Sequence, residues 1–386
     1  MVKVRWSVCM AVAAAMMAMP AAAAAFPAAW VARFEERRAA RPAPSSGAAA
    51  PGPSKPGVSI PSSDAKLLGQ RIMVGLDGTS ADSGLLARIR AGEVGSVILF
   101  AANIVDSAQV RALTGSFQRA AREGGNPPVL IAIDQEGGQI KRFPNGPPFL
   151  SPPQMANTGS IKSTYREGQL TGNYLRQRGV NWDLAPVSDV PTSPDAFIWQ
   201  QGRAFSFNPS TVATYADAFA RGIQSAGIAA TAKHFPGVGS ASVDTDNKLD
   251  ELHPSAAQLA GALMPYRTMI PRGLDTVMVS TAGFPAYDSS GTVSALSSRI
   301  IKGLLRHKLG FGGVTITDAL GTPTGHDETT AGRLAARAGA DVLLYTDSAN
   351  GELPALESDL HSGRLSRADA DAAYARIVAL KRRIKT

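Results

Sequence analysis

The chain has almost no cysteine. Its one thiol, Cys9, lies inside an apolar run near the N-terminus, so disulfide and thiol chemistry have no place in the rest of the protein. Histidine is also sparse: five residues are scattered through 386, none at a ligand spacing from another, which argues against a metal site. No G-x-G-x-x-G follows an early strand pattern, so a dinucleotide-binding open sheet is the weaker fold reading. The formal charge of +8 is uneven. Residues 1–61 hold seven Lys/Arg and two Asp/Glu, and Lys381, Arg382, Arg383 and Lys385 crowd the other end. The body is close to neutral, and a nucleic-acid role gains little support.

What is present first is a leader. Lys3 and Arg5, an apolar run from Val8 to Met19, Pro20 and small residues through Ala25 predict a signal peptide over 1–25 and export from the cytoplasm. An uncleaved anchor is the other reading. Pro20 and Pro27 interrupt a span that needs about 20 helical residues, so no stable membrane span is expected in the mature chain. The stretch 26–63, rich in Ala, Pro, Ser and Gly, reads as an extended linker.

From Asp64 on, eight short Val/Ile-rich runs alternate with helical patterns: 71–75, 96–100, 129–133, 180–183, 229–232, 276–280, 314–317 and 342–345. Helices are expected at 107–123, 164–178, 209–226, 255–272, 298–309, 328–338 and 367–383. Eight repeats predict one (β/α)8 barrel over 64–386. In such a barrel, chemistry collects at the C-terminal strand ends. Acids and bases fall there repeatedly: Asp134, Asp183, Lys233 with His234, and Asp318. One such Asp could simply begin a turn or cap a helix; four strand ends are harder to assign to capping.

The densest cluster is Lys233-His234-Phe235-Pro236-Gly237-Val238-Gly239 followed by Asp244-Thr245-Asp246. It resembles the K-H-F-P-G-x-G signature of glycoside hydrolase family 3, in its single-domain branch of bacterial β-N-acetylglucosaminidases. Asp134-Gln135-Glu136-Gly137-Gly138 with Lys141 and Arg142 is similar to the D-x-E-G-G-x-x-x-R loop of that family. Asn181 to Val190 resembles its N-x-x-x-A-P-V-x-D-V segment, with Asp183, Pro186 and Asp189 read as architectural. Arg203 matches the arginine of R-[SA]-F-[GS], and Leu304 to Thr322 resembles the segment that ends in the nucleophile, here Asp318.

The resemblance implies a retaining glycosidase acting on β-linked amino sugars, without a cofactor. Asp318 would be the nucleophile, and Asp134, Arg142, Arg203, Lys233, His234 and Asp244 would hold the sugar. One position departs from the pattern: the acid/base histidine of D-S-H or D-T-H is Asp246 here. Three readings follow. Asp246 is itself the acid, its pKa raised by the like charge of Asp244 two residues away; His326 or Glu328 supplies the proton; or the barrel binds sugar without turning it over. A Schiff base on Lys233 is a minor alternative and would need a lowered pKa. Oligomeric state is left open.

Overall fold

The computed structural model describes residues 58–346 and 351–385; the expected signal peptide and most of the expected linker lie outside these. Eight parallel strands carry the fold: β1 (Ile72–Val74), β2 (Ser96–Leu99), β3 (Leu130–Ile133), β4 (Trp182–Asp183), β5 (Ala229–Phe235), β6 (Thr276–Val279), β7 (Val314–Thr317) and β8 (Leu343–Leu344). They pair in sequence order, and β8 pairs back onto β1 with Ile72 opposite Leu343. The ring closes between β7 and β8 through a parallel bridge of Ile316 with Val342.

Strand periodicity sorts the apolar side chains. Ile98, Met278, Val314 and Ile316 point into a small interior cluster around Trp182, whereas Val97, Leu99, Val277 and Val279 join the larger layer between strands and helices. The helix Arg367–Arg383 adds Ile377 and Leu380 to the interior cluster and so stops the end where the strands begin. Trp182 is wholly buried, and its Nε1 donates to Oγ1 of Thr231 at 2.7 Å and of Thr276 at 3.1 Å. That satisfies the one polar group the indole brings into the barrel.

Helices 107–123, 328–338 and 367–383 lie as expected from the sequence, each behind an Asp or Ser N-cap. The expected helix 255–272 is three pieces instead: Ala256–Ala262, Met264–Met269 and a 3-10 turn Ile270–Arg272. Pro265 and Pro271 each remove an amide donor, which accounts for the division. The segment 299–308 is wound as a π-helix. A two-stranded hairpin, Gln135–Gly137 with Ile140–Lys141, sits directly after β3 and over the barrel mouth.

Candidate active site

A cavity of about 200 Å3 opens at the C-terminal ends of the strands. Asp134, Arg142, Arg203, Lys233, His234, Asp244, Asp246 and Asp318 all line it, so the residues that the resemblance marks as nucleophile, acid and sugar-holding groups converge there. His326 and Glu328, the other candidate proton donors, are not among the lining residues.

One wall is a chain of buried ion pairs. The Lys233 ammonium lies 2.7 Å from both Asp134 Oδ1 and Glu136 Oε1. Arg203 grips Glu136 with two bonds of 2.8 Å, and Arg142 donates to Asp134 Oδ2 at 3.0 Å. Burial opposes the charge on Glu136, yet Arg203 and Lys233 overcome it and hold the carboxyl down at about 2. Asp134 is likewise held well below the usual range: burial raises it, and Lys233 and Arg142 more than offset that. Burial works against the Lys233 ammonium too, but its two carboxylates raise its pKa. This overturns the Schiff-base reading, which needs a lysine that loses its proton easily.

Turn geometry sets these groups. Lys233 and His234 are the last residues of β5 before its terminal Phe235, rather than the start of a loop. The glycine loop after them crosses the chain at Val190 closely: a Cβ on Gly239 would stand 1.8 Å from the Val190 carbonyl oxygen. Gly237 has φ +129, a conformation that side-chain-bearing residues rarely adopt. Asp189, read from the sequence as architectural, anchors this turn by accepting from the amides of His234 and Val238. It also takes the His234 Nδ1 contact at 2.7 Å. Arg203 Nη2 approaches His234 Nε2 at 3.4 Å, so the two contacts fit the tautomer with its proton on Nδ1. Burial lowers the pKa of His234, and Asp189 raises it further than that. Asp183, also read as architectural, accepts from the Gln135 amide at 3.1 Å and so ties down the turn between Asp134 and Glu136.

The opposite wall carries the two carboxyls on which the chemistry turns. Asp318 follows β7, its amide bonded to the Val279 carbonyl and its Oδ1 accepting from the Ala319 amide at 2.9 Å. Asp246 stands on the loop after the glycine turn. The residue as a whole is exposed, yet it lines the cavity, and the charge of Asp318 is the largest cause of its shift. Asp318, burial and Asp244 together raise the Asp246 pKa to about 7. A carboxyl that holds its proton near neutrality beside a second carboxylate has the protonation state a general acid needs.

Two residues of the cavity wall were given no role from the sequence. Glu136, there only part of the D-x-E-G-G-x-x-x-R loop, is the bidentate partner of Arg203 and is buried. Gln201 links the two walls: its Oε1 accepts from Arg203 Nη1 at 3.0 Å, and its Nε2 donates to Asp244 Oδ2 at 2.8 Å. Asp244 Oδ1 in turn accepts from the Asp246 amide at 3.1 Å. Asp244, expected to hold the sugar, thus engages both oxygens in holding the loop of Asp246. A glutamine two residues before a motif arginine carries no sequence signal of its own.

Residues 68–380 match the glycosyl hydrolase family 3 N-terminal domain. The chain belongs to glycosyl hydrolase family 3. It is a glycosidase on a (β/α)8 barrel, and its relatives agree. The chain is 32% identical over 337 residues to an uncharacterized secreted glycosyl hydrolase of Arthroderma benhamiae, covering 82% of this chain and 92% of the other. It is 32% identical over 287 residues to a beta-hexosaminidase of Xanthomonas oryzae pv. oryzae, covering 71% and 82%. Among solved structures it is similar to a family 3 beta-N-acetylglucosaminidase from Paenibacillus sp., with TM-score 0.78 and 33% identity; 83% of this chain matches 62% of that longer one. A beta-N-acetylhexosaminidase from Beutenbergia cavernae matches with TM-score 0.77 and 28% identity, over 84% of this chain and 99% of that one.

Proposed function

We propose that this family 3 enzyme is a retaining hydrolase that removes terminal β-linked N-acetylglucosamine from glycans outside the cytoplasm, with cell-wall fragments as the source. The observation that carries the mechanism is that Asp318 and Asp246 line one cavity; there the charge of Asp318 raises the Asp246 pKa to about 7. The names of the relatives above support the sugar, and the leader at 1–25 and the secreted Arthroderma relative support the location.

In the first step an Asp318 oxygen attacks the anomeric carbon while the bond to the leaving oxygen breaks, and the Asp246 proton passes to that oxygen. In the second, ionised Asp246 takes a proton from water, the water oxygen bonds to the anomeric carbon, and the bond to Asp318 breaks. Both carboxyls return to their starting states. Such a double displacement needs them about 5 to 5.5 Å apart. Asp134, Arg142, Arg203, Lys233 and His234 hold the sugar hydroxyls, and their mutual ion pairs keep them in place before substrate arrives. Asp244 holds the loop of Asp246.

Release of aryl alcohol from aryl β-N-acetylglucosaminide and aryl β-glucoside tests the reading. Turnover of the first, lost by about 10^3-fold or more in Asp318→Asn with the fold intact by circular dichroism, is the expected result. Hydrolysis of the glucoside alone would replace the sugar, and undiminished turnover in Asp318→Asn would remove the nucleophile.

A further inference from the structure

At the opposite end of the barrel, where the strands begin, a second cavity of about 230 Å3 opens among Arg71, Lys302, Arg306, His307, Asp369 and Arg376. It is as large as the catalytic cavity of about 200 Å3. Three elements build it. Arg71 immediately precedes β1; Lys302, Arg306 and His307 stand on the π-helix before β7; Asp369 and Arg376 come from the closing helix 367–383. Lys302 pairs with Asp369 at 2.9 Å. Arg306 and Arg376 meet on Asp341, which is wholly buried, at 2.5 Å and 2.7 Å.

Four permanent cations therefore meet two carboxylates, a surplus of two positive charges before His307 is counted. Pinning Asp341 explains Arg306 and Arg376 but not Arg71. That guanidinium is 1% exposed and, among the described residues, meets no carboxylate in hydrogen-bond contact. Its Nε donates to the Asp341 carbonyl and its Nη2 to those of Ala336 and Ala340, while Nη1 is buried with no partner among the described residues. Burial lowers the Arg71 pKa to about 10, Asp341 raises it, and repulsion from Arg376 lowers it again, so it stays charged at neutral pH. A buried donor without an acceptor, inside a lining with uncompensated positive charge, fits an anion.

We propose that this cavity binds a small dianionic oxyanion of the phosphate class, at a site separate from the catalytic one. Two negative charges match the surplus, and oxygen acceptors suit the guanidinium donors that Asp341 does not occupy and the imidazole of His307. Bound there, the ion joins the starts of β1 and β7 to the closing helix.

Isothermal titration of inorganic phosphate into the full chain at fixed ionic strength tests this, with Lys302→Gln/Arg376→Gln in parallel. The wild type is expected to show one saturable site, weakened about tenfold or more in the double variant. The catalytic cavity lies at the other end of the barrel, so aryl glycoside turnover is expected to be unchanged. If the double variant fails to fold, Lys302→Gln alone, a part-exposed side chain, supplies the comparison. Equal binding by the variant, no binding above a chloride control, or loss of binding in Arg142→Gln instead would overturn the proposal, the last by placing the ion in the catalytic cavity. The readout is binding, so it stands or falls apart from the sugar assignment.

Discussion

In the proposed mechanism Asp246, a carboxyl, does the work of a general acid, and its surroundings set its charge. An isolated aspartate ionises near pH 4 and would be a poor acid at neutrality. Here Asp318, burial and Asp244 raise it to about 7, against the opposing pull of His234 and Arg203. The protonated form is the competent one, so kcat/KM is expected to fall tenfold per unit as pH rises above about 7. The same shift makes the folded state lose stability as pH rises from about 4 through about 7, because the folded form holds the proton more tightly than the unfolded chain. In Asp246→Asn the limb near 7 should vanish, and substrates with poor leaving groups should slow far more than activated aryl glycosides. A limb that persists, or equal slowing of both classes, would assign Asp246 a structural role. Gln201 tests the link between the walls. Gln201→Ala frees Asp244 and the Asp246 loop, so kcat on poor leaving groups should drop about tenfold or more with little change in KM. Rescue by Gln201→Glu is not expected, since a carboxylate would face Asp244. A pure KM effect would instead make Gln201 a substrate contact.

At the scale of elements, strands were the most legible part of the chain and helix interiors the least. The eight Val/Ile runs stand out because strands buried on both faces are apolar throughout, and all eight are strands. Their ends differ by a residue or two except at β5, where polar Lys233 and His234 hid the continuation of the strand to Phe235. Helix 107–123 was readable from its pattern, and Asp106 caps it in the structure, whereas 255–272 kept a helical pattern across two prolines that divide it. The short helices Pro152–Asn157 and Phe197–Gln200 gave too few turns for a period to register. The closing helix has a measurable share in stability: Ile377 is fully buried against the barrel interior. Ile377→Ala is expected to cost about 2–5 kcal/mol, read from the urea midpoint with the slope unchanged. A loss below about 0.5 kcal/mol would show that this end of the barrel is loosely filled.

For the molecule as a whole, the site was legible as far as single residues carry chemistry, and illegible where chemistry depends on partners. Asp134, Arg203, Lys233, His234 and Asp318 could be marked because each stands at a strand end or in a recognisable motif, and the barrel brings all five to one cavity. The roles of Glu136, Asp189 and Gln201 emerge only from contacts across 67, 45 and 43 positions of sequence, as in Arg203–Glu136, His234–Asp189 and Gln201–Asp244. The fate of the substituted acid was equally hidden, since it rests on the proximity of Asp318, 72 residues further along. In the proposed mechanism Asp318 forms a covalent bond to the sugar. Mass spectrometry after brief incubation with a 5-fluoro β-N-acetylglucosaminyl donor bearing an activated leaving group would trap that bond, because the fluorinated intermediate forms faster than it breaks down. One added glycosyl unit is expected on the peptide containing Asp318, and none in Asp318→Asn. A label on another carboxylate, or steady turnover with inversion at the anomeric carbon and no adduct, would contradict it.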